Sequence, residues 1–174
     1  MTEVHDRARK FINYLLSLVR EGADDRGALA DLRSGLAFDP GQAPRMFRHV
    51  VPHLGERETR DDRWFYVVGA MFGANPKHVS GSTVGRSFRA LKDQGSDSIE
   101  ARFVALLAAH PDDLHSHLFH ATGLLKSKDF GLDYYVLLKD LMDWDREDRS
   151  VQNRWARAYY RKSTNNDKGE NEGE

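Results

Sequence analysis

Residues 64–74, WFYVVGAMFGA, run for eleven positions without a charged or amide side chain. Eleven residues are too few to cross a bilayer as a helix, which takes about 20. A helix that is apolar on every side has to be buried among other elements. This stretch is therefore expected at the centre of an N-terminal core, and the rest of the chain has to cover it. The surrounding pattern is helical nearly throughout. Val4, Ala8, Phe11, Leu15, Leu18 and Val19 share one helical stripe, and Leu29, Leu32 and Leu36 share another. No alternating run of β-branched residues argues for a strand.

Helices are predicted over roughly 3–20, 25–37, 59–74, 84–94, 98–109, 110–126 and 132–143, with a short helix or turn in 44–55 and a last helix after Asp145. Their starts carry capping residues: Asp24 or Asp25, Thr59, Ser98, and Asp148 in capping-box spacing from Asp145. Pro44 suits a first helical position. Residues 73–85, GANPKHVSGSTVG, form the longest internal loop, of a length often functional or mobile. The expected class is all-α, about nine helices in two small bundles packed as a bilobed protein and joined near residues 93–98. The N-terminal lobe would span 1–95 and the C-terminal lobe 96–162. No internal repeat is visible.

Net charge is −1 over 174 residues, which by itself does not announce a nucleic-acid binder. The balance is uneven, however. Residues 163–174, STNNDKGENEGE, hold four acids and one Lys, and the remainder holds 25 basic and 23 acidic residues. The body is mildly basic and the tail acidic. The tail has nothing apolar to bury and is expected to be disordered. The chain has no Cys, so disulfides and thiolate metal sites are excluded, and a cytoplasmic location fits. RARKFINYLLSLV has the look of a signal peptide, but Glu3 and Asp6 sit in its basic region and REGADD follows it. An amphipathic core helix is expected there instead.

Tests for site chemistry return little. SGSTVGRS lacks phosphate-loop spacing: Gly81 and Gly85 are one residue too close and Arg86 replaces the Lys. His110, His115, His117 and His120 cluster, but without the Glu-His helical pattern of a zinc site. DWDRED lacks the Gly and spacing of a calcium loop, and its acids suit a helix N-terminus. No nucleophile elbow exists. The chain reads as a non-enzyme without a cofactor or metal, and a metal-dependent hydrolase would rest on the histidines alone.

The arginines are better ordered. At 100° per residue, Arg154, Arg157 and Arg161 fall within about 60° of one another on the last helix. Val151, Trp155, Ala158 and Tyr159 form the inward stripe beside them. Arg86 and Arg89 flank Phe88 and Leu91 in the same manner, and Lys126 and Lys128 bracket a helix C-terminus. A row of Arg without intervening acids suits a phosphate backbone, read by charge and shape rather than by base. The plain reading of such a row is a solvated face with surface ion pairs. A second functional reading is a helical module that docks on an acidic protein.

The block LLKSKDFGLDYYVLLKDLMDWDREDRSVQNRWARAYY, residues 124–160, resembles the C-terminal part of CasB, the small subunit of the type I-E CRISPR surveillance complex Cascade. DRGALADLRSG at 25–35, VGRSFRAL at 84–91 and EARFVALLAA at 100–109 resemble its other segments, in the expected order. The resemblance implies an all-α, bilobed, non-catalytic subunit. It implies two copies side by side between the crRNA-bearing backbone and the large subunit, with basic side chains holding the crRNA–target R-loop and the displaced strand of target DNA. The guide would carry the sequence information. The residues it implicates are Arg33, Arg48, Arg86, Arg89, Arg102, Lys126, Lys128, Arg154 and Arg157, with Arg161 added by the helical geometry. Arg33 could instead salt-bridge near Asp31. Ser34, His120 and Thr122 depart from the more basic pattern, which implies weak affinity for nucleic acid outside the complex.

Overall fold

The computed structural model describes residues 2–22, 24–95 and 97–162. The acidic tail expected at 163–174 lies outside the described residues. Nine α-helices form among them: α1 Thr2–Ser17, α2 Arg26–Arg33, α3 Phe47–Val50, α4 Asp62–Ala74, α5 Val84–Asp93, α6 Ile99–Leu107, α7 Leu114–Ser127, α8 Tyr134–Met142 and α9 Ser150–Tyr160. Short 3-10 turns at Ser34–Ala37, Pro44–Met46 and Val51–His53 fill the segment between α2 and α4. No strand forms among the described residues beyond one isolated parallel bridge between His78 and Leu132. The all-α expectation holds.

The helix α4 is the centre of the packing, as its composition requires. Every residue from Trp64 to Ala74 is buried. Helices α1, α2, α7 and α8 pack around it. The α2 contact is the most intimate, because Gly73 lets the two backbones touch: a Cβ there would stand 2.5 Å from the Arg33 amide nitrogen. Each large apolar side chain removed from water here, such as Phe72 or Met71, contributes about 1.5–3 kcal/mol.

A second group of helices, α5, α6 and α9, closes around Phe103. Its ring lies 5.2 Å from Phe88 and 4.3 Å from Tyr159, centroid to centroid. The α5–α9 contact again depends on a glycine. A Cβ on Gly85 would stand 2.3 Å from the Trp155 carbonyl oxygen and 2.9 Å from the Ala158 Cβ. Gly85, which fails as a phosphate-loop glycine, is a helix-packing glycine. The two groups share one continuous core. Helix α5, from the first half of the chain, packs on α9 from the second.

Three local expectations change. The helix α4 starts at Asp62, and Thr59 donates from its amide and hydroxyl to the Asp62 carboxylate (3.1 and 3.0 Å) instead of capping the helix. The last helix starts at Ser150, not after Asp145, because Arg149 is left-handed at φ 50° and breaks the helical path. Of the DWDRED acids, Asp148 accepts from the Ser150 amide at 3.0 Å, while Asp145 faces Arg60 and Arg63 at the start of α4.

The loop at 73–85 is not loose. Val79 donates to the Leu132 carbonyl and Leu132 to the Lys77 carbonyl (3.0 and 3.1 Å). The Asp133 carboxylate accepts from the Gly81 amide at 2.8 Å and, through its other oxygen, caps α8 at the Val136 amide (3.1 Å). The loop is zipped along residues 129–134, which sets the entry point of α5. Gly85→Ala is expected to cost about 1–3 kcal/mol, since backbone rather than a movable side chain occupies the space; a urea midpoint equal to that of the parent chain would contradict it.

Candidate nucleic-acid interface

The pinned loop, the close α5–α9 contact and α8 together leave an open groove of about 950 Å³. Four of the ten sequence-predicted basic residues, Arg86, Arg154, Arg157 and Arg161, border it. Thr83 caps α5 by accepting from the Arg86 amide, and the Arg86 guanidinium turns back onto the Gly81 carbonyl at 3.3 Å. Arg157 is exposed and has no ion pair among the described residues. Arg161 is not on the helix, as the periodicity had it. It follows Tyr160 in extended backbone, yet still borders the groove.

Among the described residues one acid lines this surface, and it is nearly out of solvent. Asp140 on α8 is 5% exposed. One of its oxygens accepts from the Arg154 guanidinium, and the other from the Trp155 indole N–H at 2.7 Å. Burial raises the Asp140 carboxyl above the usual carboxylate range, opposed first by the Trp155 hydrogen bond and then by Arg154. The result is an anchored Arg154 with a 56% exposed side chain and little negative charge displayed to solvent. Sequence reasoning missed Asp140. The available signal was its position, in helical register with Leu137 and Leu141, both buried.

The remaining candidates do not converge on the groove. Arg89 donates to the Tyr159 carbonyl at 3.0 Å and pairs with Asp93 at 3.2 Å, so it fastens α5 to the end of α9. Arg33, Arg102, Lys126 and Lys128 are exposed but lie outside it. Arg48 is committed elsewhere: with Arg45 and His49 it surrounds the buried Asp31 carboxylate, Arg45 at 2.9 Å and His49 at 3.0 Å. The ion pair anticipated between Arg33 and the Asp31 neighbourhood is made by these residues instead. The hydrogen bond from His49 lowers the Asp31 carboxyl most; burial opposes it, Arg45 and Arg48 reinforce it, and the pKa falls to about 2.

The histidines disperse. His110 faces Asp112 at 3.6 Å and His115 faces Asp39 at 3.5 Å, and no metal-holding group of His, Asp or Glu assembles among the described residues. No helix among them is long and apolar enough to cross a membrane. Another concavity, of about 480 Å³ at residues 40–66, mixes Glu56, Glu58 and Asp62 with Arg60 and Arg63, whereas the arginine groove sets four arginines against one buried acid among its described lining residues.

The family model for the CRISPR-associated protein Cse2 matches residues 28–160, which include α5, α8 and α9 in full. This chain belongs to the Cse2 (CasB) family. It is similar to a Cse2 protein of Thermus thermophilus, with 37% identity over 154 residues covering 87% of this chain and 88% of that one. The crystal structure of a Cse2-family protein from the same organism superposes with a TM-score of 0.77 at 36% identity, over 88% of this chain and 97% of the other. A chain in a CRISPR RNA-guided surveillance complex superposes with a TM-score of 0.73 at 28% identity, over 91% and 94%. The Cse2 match ends one residue before Arg161.

Two outcomes follow from the buried carboxylates. Asp140→Ala strands the Trp155 N–H without an acceptor and is expected to cost about 1–3 kcal/mol, read as a lower urea midpoint at pH 7. Asp31 has a lower pKa folded than unfolded, so its contribution is present above its ordinary value of 3.8 and is lost as pH falls through about 2. Stability is therefore expected to fall between about pH 4 and pH 2, with a shallower fall in Asp31→Asn; identical pH profiles for the two chains would refute this role.

Proposed function

We propose that this chain is the non-catalytic small subunit of a type I-E CRISPR Cascade complex and that its arginine groove holds nucleic-acid backbone, stabilising the crRNA-guided R-loop in antiviral defence. Its partners would be crRNA, target DNA including the displaced strand, the backbone and large subunits of Cascade, and a second copy of itself, in the cytoplasm. The observation that carries the reading is the convergence of Arg86, Arg154, Arg157 and Arg161 on one groove whose only acid among the described residues is buried and bonded. Guanidinium groups suit phosphate because their planar donors match its oxygens. Kinship with a chain of an RNA-guided surveillance complex supports the same reading.

The contacts would position a strand and leave sequence to the guide. Binding should therefore be tolerant of sequence and steeply dependent on salt. The test uses the complex reconstituted with crRNA and its partner subunits, carrying this chain or its Arg86→Ala/Arg157→Ala variant. These two residues are chosen because neither is ion-paired to the fold among the described residues. The variant is expected to hold the R-loop less well, with a log–log salt slope shallower by about 1.4 if each arginine contacts one single-strand phosphate. Unchanged R-loop lifetime and salt slope would remove the groove from the mechanism. Capture of an acidic protein that survives nuclease treatment, with no nucleic-acid binding, would favour the docking module instead.

A further inference from the structure

Tyr160, the last residue of α9, borders the arginine groove with Arg157 and Arg161. Its neighbours Trp155 and Tyr159 are core residues, with no more than 1% exposure, whereas Tyr160 is 46% exposed. The ring is nonetheless held from two sides. Its edge contact with Tyr159 has centroids 4.7 Å apart at 82°, and its hydroxyl donates to the Glu100 carboxylate at 3.0 Å. Glu100 in turn lies 3.8 Å from the Lys92 ammonium. An aromatic side chain fixed in place before binding loses little freedom when a ligand covers it.

The groove thus presents a partly exposed, oriented ring among guanidinium groups. That is the combination by which proteins hold single strands: cations for the phosphates and an aromatic face for a base, tolerant of sequence because every base has such a face. In a duplex the base faces are covered by their neighbours, and only unpaired bases can be splayed onto a ring. We propose that Tyr160 is a stacking platform for an unpaired base, so that the groove takes single-stranded nucleic acid in preference to duplex. The proposal rests on the reading of the groove as a backbone-binding surface.

The test measures binding of the full chain to three fluorescein-labelled probes of equal length: an oligothymidylate, an abasic deoxyribose-phosphate strand, and a duplex. The parent chain is expected to bind the oligothymidylate most tightly. Tyr160→Ala should weaken that binding about tenfold and leave the abasic strand unchanged. Tyr160→Phe, which keeps the ring and loses the Glu100 bond, should retain the preference. Equal loss on both single strands, or no loss on either, overturns the stacking role. Arg157→Ala separates that failure from failure of the groove itself: if it still weakens binding to every probe, the groove stands without a platform, and if it changes nothing, the groove reading falls too.

Discussion

A helix with no polar face can leave water only if other helices surround it, and most of this molecule answers that demand. Helix α4 contributes the single most apolar stretch, and α1, α2, α7 and α8 bring their own apolar stripes to it. Once α8 is committed to α4, its other side is available to α9. The zipper between residues 75–83 and 129–134 then fixes where α5 begins, and Gly85 lets α5 settle against the α9 backbone. The groove is what remains between elements that were each placed for packing reasons.

Its charge follows from where the acids went. Surface arginines commonly find carboxylates nearby, and Arg48 shows the usual outcome: with Arg45 it is drawn to the Asp31 carboxylate. In the groove the single acid among the described lining residues is turned inward. Asp140 divides its two oxygens between a buried indole and Arg154, so it steadies one guanidinium and offers little charge to an incoming phosphate. A bare row of arginines would repel itself and lose side-chain freedom on binding. A row with one member anchored and another lying back on the Gly81 carbonyl is partly organised beforehand.

Periodicity read the faces of the helices well and their partners poorly. Trp155 and Tyr159 fall inward and Arg157 outward, as 100° per residue requires. The same arithmetic placed Arg89 outward, and it is half outward; nothing local revealed that its guanidinium would reach the carbonyl of a residue 70 positions away. Helix ends were also hard to read. Thr59 and Asp145 have the chemistry of caps, but the helices near them begin at Asp62 and Ser150, the second because Arg149 adopts a left-handed conformation that residue type does not foretell. The loop at 73–85 looked open because its hydrogen-bond partners lie about 50 residues downstream.

The sequence by itself determined the all-α class, the central place of residues 64–74, the inward stripe of the last helix and, through four ordered blocks, the family. Each of these depends on residue type and on a spacing of a few positions, which local geometry makes periodic. Only the tertiary structure decided that Arg86 would join Arg154, Arg157 and Arg161, that Asp140 would spend its charge inside, and that Tyr160 would stand exposed beside them. Those outcomes depend on contacts between different helices, 14 or 15 residues apart for Asp140 with α9 and nearly 70 for Arg86 with Arg154, set by how closely the helices can approach.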